Sequence, residues 1–223
     1  MAAVEGTAHR GRVLVIRHAQ STWNAAGRWQ GWSDAPLSEV GSAQAAEAGR
    51  ALAGLGTKPQ LIASSDLSRA RRTAELIAVE VGYTAAIATD VDLREQDLGE
   101  WNGLTSEEIL ARWPEELAAR REGLFGPVAG GEPGPHFTSR AVAALKRMAA
   151  AVAADGAAGI IVTHGGVVIA LEQALGVWSP GKRHSNLSGW WVAASEAPHG
   201  VELRALTQLD LLHIGARTVT GRG

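Results

Sequence analysis

The chain has 223 residues, of which 46% are hydrophobic and 20% are charged, and its formal net charge is −2. The balance of 21 basic against 23 acidic residues gives no electrostatic attraction to nucleic acid or to an anionic membrane. Because the sequence contains no cysteine, disulfides, thiolate nucleophiles and cysteine-based zinc sites are excluded. This length predicts one domain, over residues 12–213, between flexible tails at 1–11 and 214–223.

Nothing in the sequence predicts a membrane or secretory segment. The apolar stretch 148–162 is interrupted by Asp155, Gly156 and Gly159, so it falls short of the roughly 18 to 20 apolar residues of a membrane span. Residues 1–11 lack the apolar core of a secretory signal. We therefore expect a cytoplasmic protein with neither nucleic acid nor a membrane as its partner.

Strands and helices alternate along the chain, which predicts an α/β fold. We expect a three-layer α/β/α sandwich with a mainly parallel central sheet. Unbroken apolar runs, typical of strands buried on both faces, predict strands at 13–16, 61–63 and 159–162. A further strand is expected at 84–88, and residues 190–192 and 201–206 predict a terminal hairpin.

The predicted helices begin at polar residues that can cap them. Ser38 caps the first of these helices and Asp66 caps the second. A helical stretch at 106–122 is divided by Pro114, since proline inside a helix removes a hydrogen bond and clashes with the preceding turn. The glycine- and proline-rich segment 123–137 is expected to be a loop, and further helices are predicted at 138–154 and 165–176.

A group of polar side chains follows the first buried strand. Arg17, His18, Ser21 and Asn24 emerge at the carboxyl end of that strand, where open α/β sheets form their ligand sites. A guanidinium, an imidazole, a hydroxyl and an amide together suit an oxyanion such as phosphate. This part of the sequence therefore predicts an anion site and makes the chain a candidate enzyme.

Two other junctions between a strand and a helix carry matching chemistry. His164 and Gly165 follow the strand at 159–162, where the glycine leaves room for a ligand and the helix N-terminus favours an anion. Arg69 lies in the first turn of a helix, where a cation opposes the helix dipole and an anionic ligand would explain it. A lone histidine at such a junction more often caps a helix or binds a carbonyl, but two at one sheet edge favour a shared site.

Five blocks of the sequence resemble motifs of the histidine phosphatase superfamily, in its phosphoglycerate mutase-like branch. They have the same order and spacing as in that family, and the resemblance extends over residues 12–206. They are RHAQSTWN at 17–24, RWQGW at 28–32 with LSEVG at 37–41, SDLSRA at 65–70, LRE at 93–95 with LGEWNG at 98–103, and VTHGG at 162–166. The resemblance implies a phosphoglycerate mutase-like fold and an activity on a small phosphorylated metabolite. It implies neither a metal nor a cofactor.

The resemblance also assigns roles to residues. It makes His18 the nucleophile that forms a phosphohistidine, with a pKa lowered by neighbouring arginines. It makes Glu95 the proton donor and then the base, although the residues alone also allow a surface pair between Glu95 and Arg94. Arg17, Arg69 and His164 would hold the phosphate oxygens, and the remaining substrate-binding candidates are Ser21, Asn24, Gln30, Gly31 and Gly165.

The loop after Glu95 separates two activities of this family. Cofactor-dependent mutases have a longer basic insertion there, whereas residues 96–105 resemble the phosphatase members. Gln30 replaces the threonine of the mutase motif, and Ala19 and Gln20 also depart from the usual signature. We therefore expect a metal-independent phosphomonoesterase. A cofactor-dependent phosphoglycerate mutase and a non-catalytic phospho-ligand binding protein are the alternatives, the latter disfavoured because both His18 and Arg69 are present.

Several residues around the site leave more than one interpretation open. The arginines 112, 120 and 121 would suit an acidic substrate group, and Asn186 and Glu132 are expected near the pocket and at its rim. The tryptophans 29, 32, 101 and 113 either line the pocket mouth or pack under a lid. Residues 182–184 are expected to form a solvated basic loop. Trp190 and Trp191 should face opposite sides of a strand, one in the core and one free for an interface, which leaves a homodimer open.

Overall fold

The central sheet contains six strands in a computed structural model that describes residues 11–153, 157–181 and 184–213. They are β1 (Gly11–Arg17), β2 (Pro59–Ser65), β3 (Ala88–Asp90), β4 (Ala158–Thr163), β5 (Ser188–Ala197) and β6 (Gly200–Asp210). Their order is β3-β2-β4-β1-β5-β6. The first four run parallel, while β5 is antiparallel to both β1 and β6. The mainly parallel sheet and the terminal hairpin are therefore confirmed.

Helices cover both faces of this sheet. They are α1 (Thr22–Ala25), α2 (Glu39–Gly54), α3 (Ser68–Glu80), α4 (Ser106–Arg112), α5 (Pro114–Arg121), α6 (Gly134–Ala153) and α7 (Gly165–Ala174). Val13 and Val15 of β1 pack with α6 and α7, whereas Leu14 and Ile16 pack with α2 and α3. Since successive side chains of a strand point to opposite faces, an unbroken apolar run fills both cores. The three-layer α/β/α sandwich is confirmed.

Local sequence signals explain several helix boundaries. Ser38 caps α2 as predicted, with its side chain accepting a 2.9 Å hydrogen bond from the amide of Gly41. Pro114 divides the helical stretch as predicted, because it begins α5 at a position where its missing N–H costs nothing. Between β3 and α4, two 3-10 turns at Val91–Leu93 and Gly99–Trp101 carry the chain past the carboxyl edge of the sheet.

Three predicted boundaries are wrong. The third strand is Ala88–Asp90 rather than 84–88, because only these residues pair with the end of β2. Asp66 does not cap α3; its carboxylate instead accepts two hydrogen bonds from Arg94. Helix α6 begins at Gly134, inside the segment predicted to be a loop, and Pro135 is tolerated because it lies in the first turn.

Trp190 and Trp191 contact opposite faces of the sheet, as predicted. Trp190 packs with the core under α6 and α7, and Trp191 packs with the core under α2 and α3. Both are half-buried, so each tryptophan keeps an exposed part, and the participation of one of them in an interface stays a prediction. Of the predicted tails, Gly11 already belongs to β1, and 1–10 and 214–223 lie outside the described residues. No helix in the described ranges is long and apolar enough to cross a membrane.

Gly189 is a position where the sheet has no room for a side chain. It pairs with Ile16 across β1 and β5, and an added Cβ would lie 1.9 Å from the carbonyl oxygen of Val15. We expect Gly189→Ala to lower the free energy of unfolding by about 2 to 3 kcal/mol, measured by urea denaturation. The matched control is Gly54→Ala, whose Cβ would meet nothing within 4 Å. Equal urea midpoints for the two variants would contradict this prediction.

Candidate active site

A cleft of about 390 Å³ opens at the carboxyl ends of β1, β2 and β4, between the sheet and the segment that carries α4 and α5. This volume suits a small metabolite. The residues predicted to do chemistry all line this cleft, namely Arg17, His18, Arg69, Glu95 and His164. These five residues come from distant parts of the chain. They meet because four of them lie at junctions between a strand and a helix, and Glu95 lies in the loop after β3.

His18 is held in an orientation that suits nucleophilic attack. Its side chain is buried, and Nδ1 lies 2.7 Å from the carbonyl oxygen of Ala19. Since a carbonyl only accepts hydrogen bonds, Nδ1 must carry the hydrogen and Nε2 keeps a free lone pair. Burial, then the charges of Arg69 and Arg17, hold the pKa of His18 well below its usual value. The imidazole is therefore neutral near pH 7, as a nucleophile must be.

Arg69 is a buried cation and Arg17 a half-buried one, and both donate to neutral carbonyl oxygens. Arg17 Nη1 donates to the carbonyl of His184 at 2.6 Å, and Arg69 donates to those of Gly31 at 2.8 Å and Ser33 at 2.7 Å. The Nε of Arg69 has no hydrogen-bond partner. Burial lowers the pKa of Arg69 to about 10, which still leaves it charged at neutral pH. A buried and a half-buried cation, neither with a bound carboxylate in the described parts of the chain, create a site for an anion.

His164 leaves two polar atoms unpaired inside the cleft. It occupies the N-cap position of α7, and its ring centroid lies 5.2 Å from that of His18. Both ring nitrogens are buried without a hydrogen-bond partner. Such atoms cost free energy unless a ligand or water satisfies them. Burial, then Arg69 and His18, lower the pKa of His164 well below its usual value.

Glu95 lines the same cleft, and its carboxylate is bound by main-chain amides. Oε2 accepts a hydrogen bond from Gly166 at 2.9 Å, and Oε1 accepts one from Gln96 at 2.9 Å. Nη2 of Arg120 lies 3.8 Å from Oε1. Arg94 pairs with Asp66 rather than with Glu95, so the alternative of a surface pair is wrong. The structure thus turns a carboxylate toward the site where phosphate would be held.

The predicted substrate-binding residues divide into two groups. Asn24, Gln30, Gly31 and Gly165 line the cleft. Ser21 does not, because its buried hydroxyl caps α1 and donates to Oε1 of Gln30 at 2.8 Å. Ser21 therefore orients Gln30, which lines the cleft, and does not itself face the substrate. The acceptor oxygen of Asn24 is already used by α1 capping, so its NH₂ group is the part available to a ligand.

Other predicted neighbours of the cleft lie elsewhere. Asn186 does not line it; its amide donates to the carbonyl of His18 at 2.8 Å, which fixes the strand end beneath the nucleophile. Glu132 is not at the rim but buried against Arg140. Arg112 stacks on Trp113 away from the cleft, 4.4 Å from its ring centroid, whereas Arg120 and Arg121 line it.

His184 is buried, so the prediction of a solvated basic loop is wrong for this residue. Its Nε2 lies 2.9 Å from Oε2 of Glu172, in the last turn of α7, and its carbonyl holds Arg17. Lys182 and Arg183 lie outside the described residues. A histidine that follows two basic residues in the sequence gave no signal for this inner position, which depends on a carboxylate twelve residues earlier in the chain.

The tryptophans mainly build a small core under the segment that carries α4 and α5, which we call the lid. Trp101 packs edge-to-face on Trp29 at 5.7 Å between ring centroids and lies 6.3 Å from Trp113. Ile109 and Leu117, from α4 and α5, complete this cluster. Trp29 also lines the cleft, while Trp32 donates to the carbonyl of Glu95 at 2.7 Å. Lid packing therefore accounts for most of these rings, and Trp29 serves both purposes.

The lowered pKa of His18 gives a testable titration. Because burial and two cations disfavour the imidazolium, the neutral ring should persist as pH falls below about 6.5, the usual histidine value. We expect the His18 signal, assigned by comparison with His18→Asn, to titrate well below that pH in an NMR titration of the ligand-free protein. A signal that titrates at or above about pH 6.5 would contradict the electrostatic description of the site.

Comparisons with known proteins show the family to which the chain belongs. Residues 13–188 match the histidine phosphatase superfamily, branch 1, so the chain belongs to that family. A glucosyl-3-phosphoglycerate phosphatase of Mycolicibacterium vanbaalenii is 36% identical over 169 residues, 74% of this chain and 73% of that protein. A 2,3-bisphosphoglycerate-dependent phosphoglycerate mutase of a Methylobacterium species is 34% identical over 167 residues, 74% of this chain and 80% of that protein.

A solved structure shares both the fold and the phosphatase class. A mycobacterial glucosyl-3-phosphoglycerate phosphatase in complex with VO3 superposes with a TM-score of 0.71 at 31% identity, covering 88% of this chain and 98% of that one. Together with the family match, these relatives identify the chain as a phosphatase enzyme of the phosphoglycerate mutase-like fold. In the described part of the chain, no three His, Asp or Glu side chains form a group that could hold a metal ion.

Proposed function

We propose that this phosphatase hydrolyses a small phosphorylated metabolite, without a metal, through a phosphohistidine on His18. The observation that carries the proposal is the free lone pair on Nε2 of His18, in a cleft also lined by Arg17, Arg69 and His164. A neutral nucleophile beside cations suits attack on an anionic phosphate monoester.

The proposed reaction has two displacements. In the first, Nε2 of His18 attacks phosphorus, the bond from phosphorus to the ester oxygen breaks, and Glu95 gives its proton to that oxygen. In the second, Glu95 takes a proton from water, the water oxygen attacks phosphorus, and the N–P bond breaks. Inorganic phosphate leaves and Glu95 is protonated again. General acid and base catalysis of this kind contributes about 10² to 10⁴ in rate.

Electrostatics supply a further part of the acceleration. A cation about 4 Å from a unit negative charge contributes about 4 kcal/mol at an effective dielectric near 20. Arg69 is buried and Arg17 is half-buried, so solvent screens their charges less than it screens exposed ones. His164 and Asn24 would add hydrogen bonds from neutral groups. Together these interactions are large enough to matter for a reaction as slow as phosphate-monoester hydrolysis.

We further propose that the substrate carries a second anionic group, such as a carboxylate. Arg120 and Arg121 line the cleft near Glu95, and Arg120 is only 10% exposed. Its charge is only partly offset by the 3.8 Å contact with Glu95. Relatives named for glucosyl-3-phosphoglycerate, an ester with both a phosphate and a carboxylate, support a substrate of this class.

A phosphoglycerate mutase remains the second candidate, since curated mutases are 30% to 36% identical to this chain. The short turn at Gly99–Trp101, followed closely by α4, favours the phosphatase because it leaves no long basic insertion after Glu95. We also infer a cytoplasmic location from the absence of cysteine, and the homodimer stays a prediction.

Phosphate release in the presence of EDTA tests the proposal. We expect turnover of a phosphoglycerate ester to continue with EDTA and to exceed that of a matched phosphate ester without the carboxylate. Arg120→Gln should remove this preference, whereas Arg112→Gln, outside the cleft, should retain it. Formation of 2-phosphoglycerate from 3-phosphoglycerate with bisphosphoglycerate, without free phosphate, would establish the mutase instead. Phosphate binding without turnover of any ester would establish a binding protein.

A further inference from the structure

Arg140 and Glu132 form a buried pair outside the cleft that the proposed chemistry does not use. Nε and Nη2 of Arg140 donate to the two carboxylate oxygens of Glu132 at 2.7 and 2.6 Å. The two side chains are only 9% and 7% exposed. Such a two-bond pair fixes the plane of a guanidinium, which a single contact does not do.

The fixed guanidinium then binds the chain segment that delivers Glu95. Nη1 of Arg140 donates to the carbonyls of Asp92 at 2.8 Å and Arg94 at 2.9 Å, and Nη2 donates to the carbonyl of Glu95 at 2.8 Å. One side chain of α6 therefore contacts three carbonyls over residues 92–95. This segment contains the end of a 3-10 turn and no strand, and the sheet binds it at Leu93, whose carbonyl accepts a 2.8 Å hydrogen bond from the hydroxyl of Thr163 in β4.

The two ends of Glu95 are thus held from different sides. Arg140 and Trp32 bind its carbonyl, while the amides of Gly166 and Gln96 bind its carboxylate. Arg140 does not line the cleft, so it has no contact with substrate. A proton donor must lie within hydrogen-bond reach of the leaving oxygen, and a displacement of about 1 Å can cost about 10²-fold in rate.

We propose that Arg140, oriented by Glu132, is a positioning residue that sets the reach of Glu95 to the leaving oxygen. This inference rests on the proposed role of Glu95 as the proton donor. It predicts a defect that depends on the leaving group. An aryl oxide leaves without a proton, whereas an alkoxide needs one.

The test compares kcat/KM for p-nitrophenyl phosphate and 2-phenylethyl phosphate, which have similar size but different leaving groups. The ratio of the two values, measured on one preparation, cancels the fraction of protein that is folded. The variants are Arg140→Ala, Arg140→Lys and Glu132→Gln, with Glu95→Gln as the reference. The matched control is Arg147→Gln, because Arg147 lies two turns further along α6 and pairs with Asp92 of the same segment and with Asp90 at the end of β3.

We expect Glu95→Gln to raise the aryl-to-alkyl ratio about 100-fold and Arg140→Ala to raise it about 10-fold. Arg140→Lys and Glu132→Gln should give smaller increases, since each retains part of the contact, and Arg147→Gln should leave the ratio unchanged. A ratio that changes in Glu95→Gln but in neither Arg140 variant would overturn the positioning role alone. A ratio unchanged in Glu95→Gln would overturn the proposed proton donor, and this inference with it.

Discussion

Replacing His18 with asparagine is expected to lower kcat by at least about 10⁴-fold, because the covalent route is then lost. The asparagine amide can still donate to the carbonyl of Ala19, as Nδ1 of His18 does in the parent protein. It offers no lone pair to phosphorus at the position of Nε2. The stability of the variant should therefore change little, although its turnover is lost. Stopped-time assays of phosphate release measure the decrease in kcat.

The matched control for this variant is His199→Asn, an exposed histidine between β5 and β6. It should retain full activity. Brief incubation with a ³²P-labelled ester should label the parent protein with an acid-labile, base-stable phosphate and leave His18→Asn unlabelled. Turnover retained by His18→Asn, or label retained by it, would show that His18 is not the nucleophile.

Replacing Arg69 with glutamine is the second substitution for which we expect a large loss of activity. The buried guanidinium contributes charge where phosphate would be held, so we expect kcat/KM to fall about 10² to 10³-fold, equivalent to about 3 to 4 kcal/mol. Arg69 is also the larger of the two charges that lower the pKa of His18. Its removal should raise that pKa, so the NMR titration of His18 should move to higher pH.

The control is Arg71→Gln, on the exposed side of α3, where Arg71 lies 3.6 Å from Glu75. It should alter neither kcat/KM nor the titration of His18. Urea denaturation of both variants separates a loss of charge from a loss of fold, since Arg69 also binds the carbonyls of Gly31 and Ser33. A normal kcat/KM in Arg69→Gln would remove this residue from the phosphate site.

The parts of the fold that the sequence predicted depend on local patterns. Residues 13–16 and 159–162 are unbroken apolar runs, so their strands and the histidines that follow them could be located from the sequence. Periodicity, the cap at Ser38 and the proline at 114 likewise depend only on near neighbours. The resemblance to a known family added Glu95, which no local pattern singles out.

The remaining features depend on partners far away in the chain. Ser21 looked like a ligand-binding hydroxyl, but nine residues later Gln30 takes its hydrogen bond. Asp66 looked like a helix cap, yet Arg94, 28 residues away, binds it. Arg140 donates hydrogen bonds to carbonyls of residues 92–95, which lie more than 40 residues earlier in the chain. Sequence periodicity contains no information on such pairings, because tertiary folding alone brings the partners together.

Helix α7 follows His164, its N-cap, and contains Glu172. The carboxylate of Glu172 anchors the imidazole of His184, whose carbonyl in turn holds Arg17. One helix thus fixes two groups at the phosphate end of the cleft. The other end is lined by Trp29 and by two arginines of the lid formed by α4 and α5, Arg120 and Arg121. Exchange of the lid would therefore be a way to redirect the enzyme toward a different ester, because His18, Arg69 and His164 lie outside the lid, at the junctions that follow β1, β2 and β4.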